Sequence, residues 1–80
     1  MNEPFNEEEA LITASDLEML REDLIGELEA INQYQDHILS IENADVVQVL
    51  EHIVEEEKEH VAELFEVINN LDSAQAEKFK

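Results

Sequence analysis

One glycine, Gly26, and one proline, Pro4, in 80 residues leave almost no turn chemistry for reversing the chain between β-strands. A backbone with so few breakers is expected to fold as helices. Cysteine is absent, so neither a disulfide framework nor a thiolate metal site can staple the fold. A chain of 80 residues is one small domain and buries a modest share of its surface when it folds alone. Cover from a second chain is therefore expected.

Hydrophobic spacing divides the sequence. Residues 1–14 combine Pro4, the acidic run Glu7 to Glu9 and the apolar pair Leu11 and Ile12, and they read as an N-terminal tail. Ser15 with Glu18 forms a capping box, and Asp16 suits the first turn of a helix. Helix one is predicted over about 16–39, with Leu17, Leu20, Leu24, Leu28, Ile31, Ile38 and Ile41 in one stripe. Ser40 to Asn43 favours a short turn, and Asn43 suits a second N-cap. Helix two is predicted over about 44–71. Asp72 or Ser73 caps a short helix or tail within 73–80 that ends near Phe79. The predicted fold is all-α: an antiparallel two-helix hairpin with a short C-terminal helix.

Charge narrows the function. The formal net charge is -18, with 22 acidic residues against Arg21, Lys58, Lys78 and Lys80. Phosphate backbones are repelled, which argues against nucleic acid as a partner. No apolar run approaches the roughly 20 residues of a membrane span and no signal-peptide pattern opens the chain, so a cytoplasmic, membrane-free protein is expected. Most of the acids read as solvated helix faces.

Two polar residues stand where apolar ones belong. Helix two carries a seam at Val46, Leu50, Ile53, Glu57, His60, Leu64, Val67 and Leu71, spaced as a packed face requires. Glu57 and His60 are thus expected to point inward, where an uncompensated carboxylate costs several kcal/mol or more. A Glu and a His three residues apart share one helix face and suit one metal ion. On helix one, Glu27 lies at the edge of the stripe, with Tyr34 seven residues further along. Each chain therefore offers one Glu and one Glu-x-x-His, half of what a carboxylate di-iron bundle requires. Two hairpins related by a two-fold axis supply the whole set and hide each other's apolar stripes in a four-helix bundle. Neither an EF-hand loop nor the His-Glu-x-x-His of zinc proteases occurs. His37 and His52 fall on solvated faces and receive no role.

The segments Glu27-Leu28-Glu29-Ala30-Ile31-Asn32-Gln33-Tyr34 and Glu56-Glu57-Lys58-Glu59-His60 resemble the encapsulated ferritins, short relatives of ferritins and rubrerythrins. The resemblance implies a ferroxidase that oxidises Fe(II) with dioxygen at a subunit interface. Two iron ions per dimer are then held by Glu27, Glu57 and His60 of both chains, with Tyr34 just outside the ligands. It also implies decameric rings inside an encapsulin shell, where the oxidised iron is stored. Gln33 stands where the family has tryptophan, and Gly26 replaces one acid of the family's iron-uptake route while Glu29 matches the other. No shell-targeting segment is evident before the last residue, Lys80. Two other readings fit the same residues: a metal-free acidic interaction module, in which Glu57 and His60 only fix helix register, and a rubrerythrin-like di-iron peroxide reductase. The second lacks the cysteines of a rubredoxin-type iron centre.

Overall fold

The computed structural model describes residues 6–80; Pro4 lies outside them. Three helices follow one another: α1 over Glu7–Ser40, α2 over Ala44–Leu71 and α3 over Ser73–Glu77. The first two pack antiparallel as a hairpin, and the third folds against the end of α2.

Helix α1 begins well before the predicted capping box. Asn6 Oδ1 accepts the Glu9 backbone N–H at 3.1 Å, and Glu7, Glu8 and Glu9 fill the positive first turn. No glycine or proline interrupts residues 7–16, so the helix runs on through Ser15, and residues 7–14 are helix, not tail. At the other end the Ile41 N–H closes on the His37 carbonyl at 3.0 Å. Asn43 caps α2, its Oδ1 accepting from the N–H groups of Asp45 and Val46 at 3.0 and 3.1 Å. Asp72 serves two elements. Its Oδ1 caps α3 through the Gln75 N–H at 3.1 Å, while Oδ2 takes Arg21 Nη2 at 2.8 Å and ties this corner to α1. Phe79 then meets Phe65 edge-on, with ring centroids 5.6 Å apart.

The contact between α1 and α2 corrects the predicted stripes by about one position each. On α1 the covered seam is Leu17, Leu20, Leu24, Glu27, Ile31, Tyr34 and Ile38, so Glu27 and Tyr34 belong to it and Leu28 is exposed. On α2 it is Val47, Leu50, Val54, Glu57, Val61, Leu64 and Ile68. Glu57 is inside as expected, but His60 is not: it stands at the edge, with Val46, Val67 and Leu71 also exposed. The physical reason is that α2 carries two adjacent seams sharing Leu50, Glu57 and Leu64, and one neighbouring helix closes only one of them. The core is thin. Leu17, Val54 and Ile68 are its buried hydrophobic residues among those described, each contributing up to about 1.5–3 kcal/mol of burial. No helix among the described residues is long and apolar enough to cross a membrane.

Candidate metal centre

Glu27 from α1 and Glu57 from α2 face each other across the hairpin because both occupy seam positions, and His60 follows Glu57 by about one turn on the open side. His60 Nδ1 lies 3.8 Å from Glu27 Oε1 and 3.7 Å from Glu57 Oε2. These separations are too long for direct hydrogen bonds. One donor atom from each residue falls within 4.8 Å of the others, an arrangement that a cation placed among them could draw together. Carboxylate oxygens with an imidazole suit first-row divalent ions such as iron, manganese or zinc.

Burial makes the cluster costly without a cation. The Glu57 side chain is 18 % exposed, and its Oε2 is buried without a hydrogen-bond partner. Three of the four basic side chains are engaged elsewhere: Arg21 with Asp72, Lys58 with Glu55, and Lys80 with Glu77. Among the described residues, no lysine or arginine pairs with Glu27 or Glu57. An orphaned carboxylate oxygen of this kind costs about 1–3 kcal/mol, and a bound cation would offset it.

The cluster opens sideways into a groove of about 650 Å³ between α1 and α2. Gly26, Ala30, Leu64 and Val67 form much of its wall, and Glu22, Asp23 and Glu63 add negative charge at one end. Those three acids escaped the sequence reading. Their signal was present, since Asp23 precedes Glu27 by one helical turn and Glu63 follows His60 by one. Glu29, by contrast, is exposed and does not line the groove. Tyr34 sits half-buried along α1, and no hydrogen bond joins it to the three clustered residues. His37 is exposed, and His52 pairs with Glu56 on the outer surface of α2.

The family model EncFtn-like matches residues 4–80 of the chain. The chain belongs to the EncFtn-like family. This agrees with the likeness of residues 27–34 and 56–60 to encapsulin-associated ferritin-like proteins, and two relatives are named as encapsulin cargo. The encapsulin nanocompartment cargo protein EncC of Myxococcus xanthus (strain DK1622) is 42% identical over 57 residues, which is 71% of this chain and 44% of that protein. The cargo protein EncB of the same organism is 38% identical over 64 residues, 80% of this chain and 40% of EncB. The ferritin-like-encapsulin shell fusion protein of Pyrococcus furiosus is 34% identical over 79 residues, 99% of this chain and 21% of the fusion. This EncFtn-like chain thus spans less than half the length of each of these relatives. No solved structure matches it significantly.

Proposed function

We propose that two copies of this EncFtn-like chain form a four-helix bundle and oxidise Fe(II) to Fe(III) with dioxygen, as cargo of an encapsulin shell. One observation carries the reading: a buried carboxylate oxygen of Glu57, without a partner, beside Glu27 and His60 at the open edge of the hairpin. Three donors from one chain leave an iron ion short of ligands, and the missing ones are the same three from a second copy. In the paired arrangement Glu57 of both copies would hold the pair of ions, with Glu27 and His60 of each copy completing the donors. Four carboxylates then balance two divalent ions, which relieves repulsion in a strongly acidic assembly.

Iron is the substrate: two ferrous ions give up one electron each, and one dioxygen takes both, with two protons from water, to leave as hydrogen peroxide. The residues hold the pair together, and their carboxylates favour the more highly charged product over the reactant. Membership of a family with encapsulin cargo relatives supports the shell as partner and the shell interior as the place of storage. Absorbance-followed oxidation of ferrous iron tests the proposal. Wild-type protein should outpace buffer, and His60→Ala should fall to the buffer rate; activity retained by His60→Ala would place the chemistry elsewhere. Faster turnover with peroxide than with dioxygen would turn the assignment to a peroxide reductase.

A further inference from the structure

The two seams of α2 are close competitors for α1. Val47, Val54 and Ile68 have Val46, Ile53 and Val67 beside them, one residue away, and Leu50, Glu57 and Leu64 serve both rows. The rows differ in kind at one place, Val61 against His60, and an imidazole turned toward α1 would find Glu27 and Glu57 as partners. Burial of apolar area has no direction of its own and separates the two packings weakly. Yet only one of them leaves His60 at the open edge.

A polar link stands at the end of the closed seam. The Asp72 N–H closes on the Ile68 carbonyl at 2.8 Å, so Asp72 continues the row of Val54, Val61 and Ile68 by one more turn. Its Oδ2 accepts from Arg21 Nη2 at 2.8 Å. Among the described residues this is the side-chain hydrogen bond that ties α1 to a distant part of the chain; the others join residues two or three apart. The second Asp72 oxygen caps α3 through Gln75, and Phe79 beyond α3 meets Phe65, so the carboxylate is held in place from its own side. Turning α2 by one residue, about 100°, would carry Asp72 away from Arg21 and bring the exposed Leu71 in its stead.

Resting on the metal reading above, we infer that Arg21 is a positioning residue for the site: its ion pair with Asp72 selects which seam of α2 lies against α1, and so keeps His60 at the edge beside Glu27 and Glu57. Arg21 precedes Glu27 by six residues, about 9 Å along α1, and acts through the orientation of α2. The side chains of the pair are 51% and 22% exposed, and a pair so placed adds little to the stability of a whole fold. It adds enough to choose between two packings of nearly equal apolar content.

Because the chain has no cysteine, engineered pairs report the packing without any metal. Ile31 lies one turn beyond Glu27, while Ile53 and Val54 lie one turn before Glu57. Both therefore stand at the level of Ile31 and differ in the seam they occupy. Ile31→Cys is combined with Val54→Cys in one protein and with Ile53→Cys in another, and intrachain disulfide formation under mild oxidation is followed by loss of free thiol at monomer mass on a non-reducing gel. A disulfide needs Cα atoms about 5.5–6 Å apart, so the Val54 pair should close faster. Arg21→Met should lower the ratio of the two rates about fivefold, with helix content by circular dichroism unchanged. Arg21→Lys, which keeps a cation for Asp72, should restore most of it.

An unchanged ratio in Arg21→Met overturns the inference, as does a Val54 pair that closes no faster than the Ile53 pair beside native Arg21. So does Arg21→Lys behaving as Arg21→Met, or a ratio that falls only together with helix content, which would make Arg21 a general stabiliser. Ferrous iron titrated onto the two disulfide-closed proteins separates this inference from the metal reading. The protein closed through position 54 should bind iron, and the one closed through position 53 should not, because it turns His60 under α1. Equal binding by both leaves the selection of the seam standing and removes His60 from the metal reading. An unchanged ratio, with iron bound only by the protein closed through position 54, does the reverse.

Discussion

Two seams run side by side on α2, one residue apart, and only one is closed. Val47, Val54, Val61 and Ile68 lie against α1, while Val46, Ile53, His60 and Val67 form the neighbouring row. Leu50, Glu57 and Leu64 belong to both. Within each adjacent pair the chemistry is alike except at one: Val46 with Val47, Ile53 with Val54 and Val67 with Ile68 are all apolar, but His60 stands beside Val61. The closed seam holds a single chain together. The open seam, which is equally regular, has no neighbour within the chain and carries the one imidazole of the cluster. A helix with two such rows is built to pack twice, and the shared Glu57 lies where the two packings meet.

The largest effect is expected at that shared position. Glu57→Leu should reduce iron oxidation to the rate in buffer, and yet raise the stability of the metal-free chain by about 1–3 kcal/mol, because the orphaned oxygen is gone. Denaturant unfolding beside the oxidation assay checks both halves. A destabilised and active variant would make Glu57 a structural residue. Next comes the pair that separates the seams. Ile68→Ala should cost about 2–4 kcal/mol in unfolding experiments at low protein concentration, and Val67→Ala less than about 1; equal costs would mean that both rows are closed within one chain.

Smaller effects sharpen the contrast. A methyl group at Gly26 would meet nothing within 4 Å, so Gly26→Ala should stabilise α1 by about 0.5–1 kcal/mol in thermal melts of the monomer. Loss of dimer by light scattering in the same variant would show that the partner approaches the groove at this position. Least of all, His52→Ala should leave iron oxidation unchanged. Its imidazole pairs with Glu56 on the solvent side, so a fall in activity would mean that a histidine off the seam takes part.

Much of this was legible in the amino-acid order. The scarcity of Gly and Pro implied helices, Asn43 and Asp72 marked real caps, and Glu27, Glu57 and His60 emerged as residues at odds with their stripes. Other features were hidden for physical reasons. Ser15 with Glu18 has the sequence of a capping box, yet Asn6 offers the same kind of hydrogen bond nine residues earlier and nothing between them ends a helix. Leu28 looked like core and Glu27 like rim because apolar residues flank the α1 seam, and only the position of α2 decides which edge is covered. The same ambiguity placed His60 inside when it stands at the edge. Periodicity finds a face; it does not say which neighbour covers it.

The central claim is that one chain carries half of an iron site. Anaerobic titration of the 80-residue chain with ferrous iron, with bound metal and light-scattering mass measured on the same fractions, tests it most directly. The account predicts saturation at one iron per chain on particles of at least dimer mass, and loss of that binding in Glu57→Leu. Saturation on monomers, or the same iron content in Glu57→Leu, would contradict it.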